Sequence, residues 1–498
     1  MKLLGPVTLL VLALSFLPQK AHPQAASASP SPTTAQSAPQ AQTTEYTLPP
    51  DKLAKAKALY DLRGRLRIVD TLFSLLVLLA ILYLGIGAAY RNGAERAAGK
   101  KFQVFTVVLV VLFLLLAGLG SLKAFFRLES PAWKAAHILV VIALVFLCMR
   151  LAARRAWAAR FSQALIFTPL LLLTTSLLAL PLDAYQQSIS LQYGLSVQSW
   201  GSWFGDVFKG LLIGMVIFTF LAWLITTLIR RSPRLWWFYG WLIMVPLTVV
   251  LVFLAPVVFD PLFNHFEPLE KSNPQLVDAI ERVTGRGGLS IPRDRMFLMK
   301  ASEKVTTLNA YVTGFGPSKR VVVWDTTIQK ASTPETLYVF GHEMGHYVLN
   351  HIQIGIAATA VGLFIGFYLL YRIANWGFGR FHERWRMREL SDWAAVPMLL
   401  LIFSLMSIFS QPINSGFSRQ LEHNADIYGL EVTHGINPNP QENAAHAFQV
   451  LGELGLSYPY PSKFVVFWYY DHPSIPDRVR FAHSYDPWSK GEQPKYVK

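Results

Sequence analysis

The sequence predicts a mainly α-helical membrane bundle of about seven to eight spans with a small, split α+β domain at the membrane face. Of the 498 residues, 53% are hydrophobic and only 15% are charged, whereas soluble domains usually carry about 25% charged residues. The apolar residues form long runs, and most of these runs reach the roughly 17–25 residues that a bilayer crossing needs. Two polar blocks interrupt this pattern and supply the small domain.

The apolar runs give the candidate membrane spans. The run at 135–149 falls short of the usual length of a crossing, so the count depends on it. The eight runs are 68–90, 104–122, 135–149, 165–182, 211–229, 236–258, 352–371 and 394–410.

The N-terminus has the order of a secretory signal. Lys2 is followed by an apolar core and then by small residues up to Ala28, so residues 1–28 are predicted to be a signal peptide, with an uncleaved anchor as the alternative. Residues 29–66 are predicted to hold a disordered linker followed by a basic surface helix. The linker extends as far as Pro50, because this stretch is rich in Ser, Pro, Ala, Gln and Thr. A basic helix over 51–67 then lies at the membrane surface.

The rest of the chain alternates between membrane and polar parts. Residues 67–260 hold the N-terminal transmembrane helices, 261–351 the first polar block, 352–411 two further transmembrane helices, and 412–498 the second polar block. Periodicity and turn residues predict helices at 275–285, 418–432 and 441–454, and strands at 295–300, 309–313 and 320–324 with a hairpin turn at 314–318.

The charge balance argues against a nucleic-acid partner. The formal net charge is +15, but the basic residues cluster at the ends of apolar runs, as in membrane proteins generally. The expected partners are the lipid bilayer and peptide or protein substrates. The single cysteine, Cys148, excludes an intrachain disulfide.

An H-E-x-x-H pattern begins at His342 in a segment predicted to be helix, with Ser332 and Glu335 as a capping box at its start. Helical spacing puts His342 and His346 on one face, one turn apart. Two imidazoles so placed can take adjacent corners of a zinc tetrahedron. Glu343 then points toward the open corner, where it can act as general base on the metal-bound water. A helix with two surface histidines is the alternative that the pattern alone leaves open.

A catalytic zinc normally has three protein ligands, so the second polar block should supply the third. Glu422 and Asp426 are spaced i, i+4. Glu422 can complete a His-His-Glu set, and Asp426 can accept the other ring N–H of a ligand histidine. His423 competes by residue type but lies on a different face from Asp426, and a solvated helix face is the alternative for the pair. His351, past the end of the pattern, is expected to cap that helix.

Four motifs in the right order resemble the type-1 CAAX prenyl endopeptidases, the sterile-24-like integral-membrane zinc metalloproteases. The resemblance covers roughly residues 165–480. The motifs are G-H-E-x-G-H from Gly341, S-R-x-x-E-x-x-A-D from Ser418, Asp471-His472-Pro473 followed by Arg478, and the hairpin that begins with Asn309-Ala310-Tyr311.

The resemblance implies a zincin-like metalloprotease domain and a zinc metalloendopeptidase of the gluzincin type, with one Zn²⁺ per chain. It implies that His342, His346 and Glu422 bind the zinc. Glu343 would activate the water and later protonate the leaving amine, and Asp426 would orient a ligand.

Further roles come from the same resemblance. His472 would stabilise the oxyanion, and Arg478 would support the site through Asp426. Asn309, Ala310 and Tyr311 would form an edge strand that pairs with an extended substrate, which gives affinity without demanding a sequence. The alternatives are a loop residue for His472, a surface ion pair for Arg478 and a turn residue for Asn309.

Basic loops indicate the side of the membrane that faces the cytosol. The loops 91–101, 150–160, 230–234 and 372–388 carry four, four, three and five Lys/Arg residues, whereas 183–206 carries none. Eight crossings then place the H-E-x-x-H helix on the translocated side, which is the periplasmic side of the inner membrane if the source is bacterial. Two observations oppose this orientation. The short basic segment 63–67 lies on the side predicted to be translocated, and the eukaryotic members of the family act at the cytosolic face.

The sequence therefore predicts a membrane-embedded zinc metalloendopeptidase that processes membrane or exported proteins or controls their quality. Two alternatives remain: CAAX-type prenyl-protein processing at the cytosolic face, and a catalytically silent zinc-binding scaffold. A transporter is disfavoured, because ion pathways usually need charged residues within the spans.

Overall fold

The computed structural model describes residues 45–125, 156–314 and 319–497, together with 134, 138–140 and 142–143. The predicted signal peptide at 1–28 lies outside the described residues. So do most of the predicted span at 135–149 and most of the predicted hairpin turn at 314–318.

The N-terminal part is built of long helices. In the described ranges these are α1 (Pro50–Tyr83), α2 (Ile86–Ala97), α3 (Lys100–Phe125), α4 (Ala156–Gln192), α5 (Trp200–Arg231) and α6 (Trp236–Leu254). A π-helical turn (Ala255–Phe259) follows α6 and leads into the first polar block.

The first polar block combines short strands and helices. In chain order they are α7 (Asp260–Phe263), β1 (Phe266–Pro268), α8 (Leu269–Ser272), α9 (Pro274–Arg286), β2 (Met296–Met299), β3 (Ala310–Thr313), β4 (Arg320–Trp324), α10 (Asp325–Lys330) and α11 (Thr333–Val348). The strands form one sheet in the order β1-β2-β4-β3. β2 and β4 run parallel and the other neighbours antiparallel, so β3 lies at an edge. The predicted hairpin pairs as expected, with Ala310 opposite Val323.

The chain then returns to the membrane and ends in a second polar block. Its helices are α12 (His351–Phe381), α13 (Val396–Thr433), α14 (Pro440–Leu454), α15 (Lys463–Tyr469) and α16 (Ile475–Ser484). The two polar blocks share a core that joins side chains of α9, α11 and the sheet to Tyr428, Val432 and Val497. The small domain is therefore one unit, split in sequence by two membrane helices.

Six helices in the described ranges are long and apolar enough to cross a membrane: α1, α4, α5, α6 with its continuation to Phe263, α12 and α13. Helix α3, with 26 residues, covers the predicted run 104–122. The predicted fold class, a helical membrane bundle with a small α+β domain, is confirmed.

The segment that precedes the first span differs from the prediction. Residues 51–67 do not form a separate helix at the membrane surface but are the first half of the continuous helix α1. Ala56 and Leu59 are fully buried in a cluster with side chains of α14. The end of the predicted linker is ordered as well, because Tyr46 and Leu48 join this cluster. The small and apolar residues spaced along this basic segment form a buried stripe, which explains the difference.

The predicted span at 394–410 and the predicted helix at 418–432 are one continuous helix, α13. Pro412 lies inside it without ending it. The candidate ligand Glu422 is therefore held on the same rigid element as a membrane span.

The basic loops 91–101 and 372–388 meet at the end of the bundle away from the polar domain. Arg91 and Asp392 form a buried ion pair of 2.6 Å, and Arg388 pairs with Glu95. The Ser162 hydroxyl donates to Thr106 at 2.9 Å, so α3 and α4 begin side by side.

Helices α11 and α13 cross at glycines. A Cβ atom at Gly429 would lie 3.0 Å from the backbone nitrogen of His342 and 3.2 Å from its Cα. A Cβ at Gly341 would lie 2.8 Å from Val432 Cγ1 and 3.4 Å from Gly429 Cα. Since the nearest atoms are mostly backbone, they cannot move aside as a flexible side chain would.

We predict that Gly429→Ala destabilises the protein by about 1–3 kcal/mol, because overpacking forces the two helices apart, and that it lowers metal content. The measurement is thermal unfolding of the purified protein in detergent, with metal analysis. The control is Gly285→Ala, where an added Cβ would meet nothing within 4 Å. An unchanged melting temperature and metal content in Gly429→Ala would contradict the close approach.

Candidate metal centre

Three candidate ligands converge on one point. His342 and His346 lie one turn apart on α11, and their Nε2 atoms are 3.3 Å apart. Glu422, on α13, places Oε2 3.2 Å from His342 Nε2 and Oε1 3.5 Å from His346 Nε2. One atom from each of the three side chains lies within 4.8 Å of the others.

This arrangement fits a tetrahedrally coordinated metal ion. Zinc bonds of about 2.0–2.2 Å place neighbouring tetrahedral ligands about 3.3–3.6 Å apart, which agrees with the observed separations. Glu422 Oε2 is buried and has no hydrogen-bond partner, although two histidine nitrogens lie near it. A buried carboxylate oxygen without a partner is costly, and a cation at this point would satisfy it.

A second layer of contacts fixes His342. Asp426 Oδ1 lies 2.8 Å from His342 Nδ1, so Nε2 is left to face the metal point. Arg478 holds Asp426 through two hydrogen bonds, from Nε at 3.0 Å and from the terminal nitrogen at 2.6 Å. Tyr338 also donates to Asp426, at 3.4 Å. Asp426 is 1% exposed and Arg478 7%, so this is a buried ion pair and not the surface pair that was the alternative.

His346 has a partner that the sequence did not predict. His351 Nδ1 lies 3.0 Å from His346 Nδ1, and His351 is buried. His351 is the first residue of α12 and not a cap of α11. The tight turn at Asn350, which adopts a left-handed conformation with φ of 58°, brings it back against the ligand.

Glu343 lies between the two ligands on α11 and lines the same cavity as His342. Burial raises the pKa of this carboxyl, which moves it toward the range in which a carboxylate can both accept and return a proton.

His472 comes to the site from the loop before α16. Its Nε2 lies 3.2 Å from Glu422 Oε2 and its Nδ1 lies 2.9 Å from Asp471 Oδ1. Burial disfavours its charged form, but Glu422 and Asp471 outweigh burial and raise the pKa of His472. The side chain can therefore act as a hydrogen-bond donor beside the metal point.

The predicted edge strand lies beside the metal centre, but its three residues differ in how accessible they are to a substrate. Asn309 lines the cavity with Glu343, and its backbone bonds inward to Thr327. Ala310 has no exposed surface, so pairing with its main chain would require this edge to open. The Tyr311 hydroxyl donates to Asp260 at 3.2 Å.

A cavity of about 1160 Å³ connects these parts. It runs from His342 and Glu343 along the residues before β3 to the first half of α1 and the middle of α13. Helix α1 is a wall of the site that the sequence does not predict, because the composition of residues 51–67 indicates a helix at the membrane surface.

Two family models match the chain. The model described as peptidase family M48 matches residues 270–486. The model described as CAAX prenyl protease N-terminal, five membrane helices, matches residues 122–265. Helix α1 precedes both matched regions.

Whole proteins are similar as well. The YhfN protein of Bacillus subtilis, an uncharacterized metalloprotease, is 38% identical over 65% of this chain and 74% of its own length. The CAAX prenyl protease 1 homolog of Caenorhabditis elegans is 25% identical over 67% of this chain and 80% of that protein. CAAX prenyl protease 1 of Saccharomyces cerevisiae is 28% identical over 64% and 71%.

The fold is similar to the crystal structure of S. mikatae Ste24p. The TM-score is 0.56 at 21% identity, and the match covers 77% of this chain and 99% of that chain.

We predict that Asp426→Asn weakens metal binding by about 10- to 100-fold, as loss of an outer partner of a ligand histidine typically does. The measurement is competition with a chelator of known affinity. Asp294→Asn, at an exposed position of the same domain, is the control for loss of one carboxylate. Equal affinities in the two variants would show that Asp426 does not hold His342.

Proposed function

The chain belongs to peptidase family M48, among the membrane metalloproteases related to CAAX prenyl protease 1, and from this premise we propose that it is a zinc-dependent endopeptidase that uses Glu343 as its general base. The family resemblance drawn from the sequence is thereby confirmed. The observation that carries the proposal is the meeting of His342, His346 and Glu422 at one point, with Glu343 on the same cavity.

The donor set of two imidazoles and one carboxylate is the set that catalytic zinc takes, with a fourth position open. When bound, zinc would supply Lewis-acid chemistry, polarising the peptide carbonyl and lowering the pKa of water.

The protein's own residues perform the proton transfers. Glu343 accepts a proton from the attacking water and returns it to the leaving amine. His472 donates a hydrogen bond to the oxygen of the tetrahedral intermediate, the role of an oxyanion hole. Asp426 and Arg478 do not touch the substrate, but they keep the His342 ring in the orientation that binds the metal.

We propose that the site lies on the translocated side of the membrane, periplasmic if the source is bacterial. The basic loops form one end of the bundle and the polar domain the other, as the ion pair of Arg91 with Asp392 and the position of Glu422 on α13 indicate. The positive-inside rule favours the basic end as cytosolic. The three arginines at 63–67 at the domain end oppose this assignment.

A translocated site would not meet a prenylated C-terminus made in the cytosol. Substrates would then be membrane or exported proteins, cleaved for processing or quality control. A cytosolic site would instead favour CAAX-type processing, the activity named for several relatives.

We predict that Glu343→Gln retains metal within about twofold but lowers peptide cleavage by about 10²- to 10⁴-fold, because it removes the general base and no ligand. The measurements are metal content and cleavage of an unfolded protein by the purified enzyme. His342→Ala is the companion variant and should lose both. Cleavage at the wild-type rate by Glu343→Gln would contradict the mechanism, and the scaffold alternative would gain if the wild type bound metal without cleaving.

We predict that a cysteine at Ser272 is labelled in intact cells by a membrane-impermeant maleimide, in a chain whose Cys148 is replaced by Ser. Ser272 is exposed on the polar domain. Arg96→Cys, exposed at the basic end, is the matched control and should react only after lysis. The reverse pattern would place the site in the cytosol and make CAAX-type processing the leading interpretation.

A further inference from the structure

The short helix α15 leads the chain to His472, but apolar packing does little to hold it. With respect to the described part of the chain, none of its seven residues is buried, and Phe464 and Phe467 are 61% and 55% exposed. Most of the stability of a helix in a protein comes from burial of an apolar face. Other contacts must therefore fix the end of α15 and the loop that follows it.

Side chains of α13 supply contacts at the C-terminal end of α15. Arg419 donates from one terminal nitrogen to the carbonyl oxygens of Val466 at 2.8 Å and Tyr470 at 2.5 Å. The Ser415 hydroxyl donates to the carbonyl oxygen of Trp468 at 3.2 Å. The carbonyl groups at the end of a helix mostly lack partners within the helix and carry the negative end of its dipole. A guanidinium is therefore a favourable partner for them.

The loop that carries His472 is fixed at both ends. Downstream, Ser474 is the N-cap of α16. Upstream, the Tyr470 carbonyl, two residues before His472, is bound by Arg419. Asp471 lies 2.9 Å from the His472 ring, but it belongs to the same loop and cannot fix the loop to the rest of the protein. The two anchors therefore set the position of the loop.

One face of α13 joins the upstream anchor to the metal centre. Ser415, Arg419 and Glu422 are spaced four and three residues apart, which puts them on one side of the helix. Glu422 Oε2 lies 3.2 Å from His472 Nε2. The same rigid helix thus carries a metal ligand and holds the loop that places His472 beside it. Arg419 is not among the described residues that line the cavity, so it acts through the loop and not on the substrate.

We propose that Arg419 is a positioning residue for His472. By binding the end of α15 to α13, it keeps the His472 ring at the place where the oxygen of the tetrahedral intermediate forms. Its contribution then belongs to the transition state and not to the binding of substrate. The guanidinium also interacts with the charge of Asp471, which strengthens its hold on the loop. The inference rests on the proposed endopeptidase function and adds a residue that acts through His472.

The first test is a double-mutant cycle on the full-length protein, with kcat and KM measured on a quenched fluorescent peptide. We expect Arg419→Ala to lower kcat by about 10- to 100-fold, because a displacement of about 1 Å in a reacting group can cost that much. KM and the metal affinity should change by less than about twofold. In His472→Ala, which lacks the oxyanion donor, the same substitution should lower kcat by less than about twofold, since the two residues act as one unit.

Two further variants separate positioning from a general loss of charge. Arg419→Lys keeps a charged donor but loses the planar fork of the guanidinium, so it should recover part of kcat. Arg282→Ala removes an arginine that is exposed on α9 and should leave kcat unchanged.

A second measurement reports on the loop without catalysis. In the Glu343→Gln protein, Arg419→Ala should raise the rate of chymotrypsin cleavage after residues 467–470 by about 10-fold or more, because loss of the charged hydrogen bonds opens this segment to the protease. Mass spectrometry identifies the cleavage sites. Arg282→Ala in the same background should be cleaved at the rate of the parent protein.

Three kinetic results would overturn the proposal. Arg419→Ala could lower kcat equally with and without His472, it could raise KM alone, or it could weaken metal binding in proportion to the loss of kcat. The last result would make Arg419 a support of Glu422 instead. Unchanged protection from chymotrypsin would also show that Arg419 does not hold α15. Because protection is read in Glu343→Gln, a wild-type protein that does not cleave peptides would refute the proposed function without obscuring this result.

Discussion

The contact between α11 and α13 is the constraint on which the site depends. The H-E-x-x-H helix supplies two ligands and the base, and α13 supplies the third ligand and the carboxylate that orients His342. These groups meet only because glycines remove side chains from the crossing, so that Gly429 contacts the backbone of His342. Side chains of ordinary size would separate the helices by more than the metal bonds tolerate. The same contact joins the two halves of the domain across the membrane helices between them.

Much of the fold and of the metal site could be predicted from the sequence, because both depend on patterns of residues that are close together in the chain. The six described helices that are long and apolar enough to cross a membrane followed from the length of apolar runs. His342, Glu343 and His346 followed from their spacing on a helix. The roles of Glu422 and Asp426 could be predicted only because a catalytic zinc requires a third ligand and because the sequence resembles a known family. A carboxylate pair on a helix is otherwise most often a solvent-exposed pair without a function. Three of the four strands were placed within one residue at each end, since Gly-Phe-Gly-Pro marks the turn between the last two. The three-residue strand β1 was not predicted.

What could not be predicted depends on long-range packing. Ala56 and Leu59 are buried by contact with α14, which lies far along the chain. Because the sequence does not show this contact, the basic segment around them was predicted to be a surface helix. The contact of His351 with His346 depends on the left-handed turn at Asn350. The residue types of His351 and Asn350 do not by themselves predict this contact. The burial of Ala310 is also a tertiary effect, because a strand pattern specifies which face points inward but not whether an edge is covered.

The charge balance of the buried site argues for a divalent ion on grounds independent of the ligand distances. Glu343, Glu422 and Asp426 bring three carboxylates into the site, and Arg478 is the guanidinium that faces them, while Asp471 and His472 compensate each other. The excess is two negative charges in a region where an unpaired charge is costly. A divalent cation balances it, whereas without one protons have to balance it. They can bind to His342, where burial lowers the pKa but Asp426 and Glu422 outweigh it and raise the pKa to about 10, or to Glu343, where burial raises the pKa. The ion thus completes the electrostatics that α11 and α13 assemble, and its loss should loosen the same helix crossing on which the site depends.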